Sequence, residues 1–122
     1  MITAKEILMG RDAQHPLSTE QLYNLLDLLP RINLIRFRYG KPLTVSSGYR
    51  PEAVNAAVGG AKKSNHVLCK AVDFADSGEF ATWCINNMHL LTQAGLYMED
   101  PSKTVGWVHL QSTPTKNNPF LP

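Results

Sequence analysis

Leu22, Leu25, Leu26, Leu29 and Ile32 recur every three or four positions in "HPLSTEQLYNLLDLLPRINLIRFRYG", the spacing of one helix face. Ser18, with Gln21 three residues on, predicts where this helix begins. Pro30 is expected to break or kink it, because proline has no amide and its ring crowds the preceding turn. Thr3 and Glu6 form the same kind of capping box ahead of a shorter helix, "AKEILM", that Gly10 ends. "LTVSS", after Gly40 and Pro42, reads as a short β run. "PEAVNAAVGG" reads as a compact helix with Pro51 at its first turn, Glu52 favourable to the dipole and Gly59 as the stop. "KAVDFA" reads as a strand. "GEFATWCINNMHLLTQAG" places Phe80, Trp83, Cys84, Met88 and Leu91 on one stripe of a single helix closed by Gly95. "GLYM" and "GWVHLQ" predict two further strands joined by the polar turn "EDPSKT". The tail from about residue 112, "STPTKNNPFLP", is rich in Pro and Asn and is expected to be irregular, pinned by Phe120.

Helices come first and strands cluster later with tight joins. The pattern predicts an α+β fold, a small and mostly antiparallel sheet with helices packed on it. A length of 122 residues suits a single domain spanning 1–122, with monomer as the default state. A net charge of +2 and a pI near 8.6 describe a mildly basic surface. That is too little Lys/Arg clustering for a nucleic-acid binder, though it suits an anionic polymer such as a cell wall. Cys69 and Cys84 are too few for a disulfide framework; one bridge or two free thiols are both open. The start, "MITAKEILMGRD", lacks the basic and apolar regions of a signal peptide, and no apolar run is long enough to span a bilayer. The expectation is a chain synthesised in the cytoplasm, with no membrane insertion, that would need another route to any work outside the cell.

The polar residues on or beside the predicted strands are where chemistry is to be sought. His66 enters the "KAVDFA" strand, Asp73 lies inside it, and His109 sits in the last strand between Val108 and Leu110. An ionised carboxylate in a buried strand is costly unless it is paired or bound to a metal. Two histidines and one carboxylate match the ligand set of catalytic zinc, which leaves a fourth position open. Taken singly, Asp73 reads rather as a strand-end acid capping an amide, and His109 as a half-buried core histidine; it is the three together that point to a metal. His15 and His89 read as bystanders, and Trp107 as either cleft lining or core.

The stretch "SSGYRPEAVNAAVGGAKKSNHVLCKAVDF" followed by "GWVHL" resembles the zinc D-alanyl-D-alanine carboxypeptidase family. That family includes phage endolysins that cut the L-alanyl–D-glutamate bond. The matching residues are Ser47-Gly48-Tyr49-Arg50, then Ser64, His66, Ala71 and Asp73, then Trp107 and His109, between about Leu43 and Leu110. The resemblance implies zinc held by His66, Asp73 and His109, with Arg50 and Ser64 binding substrate. It implies metal-assisted hydrolysis of an amide bond in a peptidoglycan stem peptide, of D,D-carboxypeptidase or endopeptidase type. With no signal peptide, a phage or prophage lysis or tail-associated protein is the expected setting, acting on the wall after release or within a particle.

Two positions depart from the family pattern. Cys69 stands where glycine is usual: it is strained if the site needs a positive φ, and as a zinc-ligand type it could also close the metal site. Gly106 stands three residues before His109, where an acid is usual. Glu99 is then the first candidate for general base and Asp100 the second, with Asp76 a remote third. The missing acid also leaves open a non-catalytic zinc-binding phage structural or cell-wall-binding module of the same fold. A plain interaction domain without metal is the further alternative.

Overall fold

The computed structural model describes residues 1–59 and 64–115. The expected role of Phe120 falls outside them. Two helices open the chain, α1 (Ala4–Leu8) and α2 (Thr19–Tyr39), and both start at the capping boxes read from sequence. Thr3 and Glu6 bond reciprocally, as do Ser18 and Gln21, so each satisfies amides that the first helical turn leaves orphaned. Strand β1 (Val45–Ser47), helix α3 (Glu52–Ala57) and strand β2 (Ala71–Ala75) follow. Then come α4 (Glu79–Asn86), α5 (Met88–Ala94), β3 (Tyr97–Met98) and β4 (Trp107–Gln111). The four strands form one antiparallel sheet in the order β1-β2-β4-β3, which makes the architecture α+β as expected.

Pro30 does not break α2, which runs unbroken through it. The proline lies on the solvent side of the helix, so the Leu26 carbonyl that loses its partner is on an exposed residue and open to water. The buried face also differs from the expected stripe. Leu25, Leu28, Ile32 and Ile35 are buried, while Leu22 and Leu26 are exposed. The paired leucines at 25–26 and 28–29 offer two stripes with nearly the same spacing, and the docking of α2 against the sheet and α5 selects one. The expected single helix over residues 79–94 is two helices. Asn87 interrupts it at φ −125° and ψ 33°, and its side chain donates to the Trp83 carbonyl at 2.9 Å, capping α4.

Side chains alternate across the sheet. Val72, Phe74, Met98, Val108 and Leu110 are buried in one core with α2, Phe80, Leu90 and Leu91. Both cysteines are free and buried, so no bridge forms. Among the described residues no helix is long and apolar enough to cross a membrane.

The segment after β1 is pressed against α1. The Tyr49 amide donates to the Ile7 carbonyl at 2.8 Å, and a Cβ on Gly48 would lie 2.1 Å from the Ile7 oxygen. Gly48→Ala is therefore expected to cost about 1–3 kcal/mol or more, as overpacking against rigid backbone does. Thermal unfolding measures this; an unchanged midpoint would mean that the two segments separate freely.

Candidate metal centre

The register that buries Val72 against Leu110 and Phe74 against Val108 sets Asp73 opposite His109 on the other face of the sheet. His66 comes from the turn over residues 65–69, whose shape is held from outside. Gln21 Nε2 donates to the Val67 carbonyl at 2.8 Å and Asn24 Nδ2 to that of Leu68 at 3.0 Å, so the first turns of α2 brace the loop. The His66 amide donates to Ser64 Oγ at 3.1 Å, and the Arg50 amide to the His66 carbonyl at 3.2 Å.

These placements bring three side chains together. Asp73 Oδ1 lies 2.7 Å from His109 Nδ1, and Asp73 Oδ2 lies 3.3 Å from His66 Nε2. One ligand atom from each of the three falls within 4.8 Å of the other two. His66 and Asp73 are buried and His109 is half-buried. Burial alone would raise the Asp73 carboxyl, but hydrogen bonds from His109 and His66 outweigh it and hold it at about 2. Burial alone would lower His109; the Asp73 hydrogen bond and charge outweigh it and leave the ring above its ordinary value.

The outer nitrogen of each ring is already engaged. His66 Nδ1 sits 2.9 Å from the Gly48 carbonyl, which can only accept, so this nitrogen carries a proton and Nε2 is the nitrogen that faces Asp73 and the site. His109 Nε2 sits 2.7 Å from Gln111 Oε1. The Gln111 amide cannot be reversed without loss, because its Nε2 donates to the Thr113 carbonyl at 2.8 Å and the Pro114 carbonyl at 3.2 Å. Nδ1 is thus the nitrogen of His109 that faces Asp73 and the site, and its candidate ligand atom. Two imidazoles fixed in tautomer by outer acceptors, with a carboxylate between them, fit a divalent cation of the zinc type. Sequence reading took Gln21 only as the partner of Ser18 in a helix cap and passed over Asn24 and Gln111; alternation from His109 would have put Gln111 on the same face.

The three candidate ligands open on a cleft of about 310 Å³, also lined by Arg50, Ser64 and Glu99, and by Thr104 and Trp107. Strand pairing puts Glu99 beside His109, whose carbonyl accepts from the Glu99 amide at 3.1 Å. Asp100 does not line this cleft. Its carboxylate accepts from the Ser102 amide at 2.9 Å, capping a short helical turn, and that bond holds it below the usual carboxylate range. Asp76 is likewise committed, accepting from the Phe80 and Ala81 amides at the start of α4. Cys69 takes a positive φ of 59°, the left-handed conformation that glycine adopts without strain. It is fully buried in the core, where burial pushes its thiol up to about 12, and it stands outside the ligand cluster. Gly106 lines a neighbouring groove of about 460 Å³ that meets the cleft at Thr104 and Trp107. The groove is the larger space, but the titratable cluster is in the cleft. His15 and His89 lie outside the cluster.

Two outcomes follow for metal binding. A cation must displace the proton that His109 Nδ1 gives to Asp73, and this ring holds its proton above the ordinary pKa. Affinity should therefore rise with pH from about 6 to 8, with proton release, in competitive titrations; a flat profile would remove His109 Nδ1 from the ligand set. Gln111→Leu should weaken metal binding by about 10–100-fold while the fold persists. Equal affinity would show that the ring needs no outer acceptor.

Residues 2–111 match the family model described as Peptidase M15. No curated protein matches the chain. Among solved structures, the L-Ala D-Glu endopeptidase ChiX of Serratia marcescens shares 22% identity with it. The two superpose with a TM-score of 0.53 over 80% of this chain and 89% of that one, a similarity of fold. With the family model spanning the sheet, the helices and all three candidate ligands, this chain belongs to the peptidase M15 family.

Proposed function

We propose that the chain is a zinc-dependent peptidase that hydrolyses an amide bond in peptidoglycan stem peptides. The observation that carries this reading is the His66–Asp73–His109 cluster, with both outer ring nitrogens engaged, facing a cleft that also holds a carboxylate and a guanidinium. His66 Nε2, the Asp73 carboxylate and His109 Nδ1 would hold the metal. When bound, zinc supplies Lewis acidity to the scissile carbonyl and to the attacking water.

The remaining work falls to the chain. Glu99 takes the proton of the attacking water and returns it to the leaving amine, the task for which sequence reading put it first. Its place in the cleft, directly after β3 with its amide bonded to the His109 carbonyl, supports that role over Asp100, whose carboxylate is tied to the turn. Arg50 presents a guanidinium that burial makes easier to discharge, while the Asp73 charge opposes the shift; it orients a substrate carbonyl or carboxylate. Ser64 Oγ accepts from the His66 amide, which leaves its own proton free for substrate. The similarity in fold to an L-Ala D-Glu endopeptidase favours a stem-peptide bond of that kind.

The test is the zinc-loaded chain on purified peptidoglycan, with new amines counted and the fragments weighed to identify the bond. Release should stop with chelator and resume with zinc. Glu99→Gln should keep its metal and lose about 10²–10⁴ in kcat, the usual size of a general-base contribution. Unchanged turnover moves the base elsewhere. Bound zinc without any hydrolysis by the parent makes the chain a binding module instead.

A further inference from the structure

Among the described residues, two buried side-chain atoms have no hydrogen-bond partner: Arg50 Nε and Thr104 Oγ1. Both residues line the cleft that holds the three candidate ligands. Buried polar side-chain atoms are nearly always bonded, because an unmet polar group away from water is costly, so two orphans on residues that line one cleft point to an occupant that satisfies both. Thr104 is 7% exposed. Its backbone is already spoken for: the amide donates to the Pro101 carbonyl at 3.2 Å, and its carbonyl accepts from the Trp107 amide at 3.3 Å. The side-chain hydroxyl alone remains.

Its position says what kind of occupant. Thr104 and Trp107 belong both to the cleft and to the adjoining groove. The groove wall beyond them is largely apolar, with Gly78, Ala81, Ile85 and Val105, and the Asp76 carboxylate there accepts from the α4 amides. Arg50 Nε can only donate, so the group it meets is an acceptor oxygen. We infer that Thr104 is a substrate-binding residue whose hydroxyl donates to a peptide carbonyl of a chain lying across the cleft towards this groove. The inference rests on the peptidase reading and adds to it a contact that no sequence motif marks.

Thr104→Val keeps the shape and removes the hydroxyl; Thr104→Ser keeps the hydroxyl. With a stem-peptide substrate and the zinc-loaded full chain, Thr104→Val should raise KM by about 3–10-fold, the worth of one hydrogen bond, with a smaller change in kcat. Thr104→Ser should return KM most of the way to the parent's. Zinc affinity should be unchanged in both. The melting temperature of Thr104→Val should stay level or rise, because the replaced hydroxyl is unmet in the free protein; a residue with a purely structural role would lower it. An unchanged KM in Thr104→Val, or a lower melting temperature in that variant, overturns the assignment while leaving the peptidase reading intact. A parent that neither binds nor cleaves the peptide overturns both.

Discussion

A carboxylate shared between two imidazoles across paired strands is the constraint around which this molecule is arranged. Asp73 stays ionised inside a sheet because His109 meets one oxygen from the facing strand and His66 the other from the preceding turn. The register of β2 on β4 is what makes this possible. A slip by one residue would turn Asp73 into the core and Val72 or Phe74 into the cleft, so the packing that buries the apolar face also sets the chemical one.

The fold and the grouping of His66, Asp73 and His109 were largely legible in the sequence, for reasons that can be named. Capping boxes at Thr3 and Ser18 are local, and they opened the helices where expected. Alternation in "KAVDFA" and "GWVHL" is local too, and it separated Asp73 and His109 from their apolar neighbours. What failed required knowledge of partners. Which leucines of α2 face inward depends on where the sheet and α5 lie. Pro30 is tolerated because its defect falls on the solvent side. The break at Asn87 carries no glycine or proline; its signal is an asparagine able to compete for the carbonyl of its own helix.

The candidate site divides along the same line. Residue types with their own chemistry, His66, Asp73, His109, Glu99 and Arg50, announce themselves in sequence. The residues that aim them do not. Gln21, Asn24 and Gln111 are ordinary amides until the fold brings them against a loop carbonyl or a ring nitrogen. Thr104 is ordinary until burial strips its hydroxyl of partners. Cys69 shows the converse: the left-handed backbone that suits glycine is kept, and the core accepts the extra sulfur.

Gly48 joins the outermost part of the molecule to its centre. Its carbonyl fixes the ring of His66, and its bare Cα lets the chain lie against Ile7 at the end of α1. The first short helix is therefore a back wall of the candidate site, although none of its residues lines the cleft. Trimming those few amino-terminal residues, or fusing a rigid partner to them, would reach the candidate site by letting one imidazole swing.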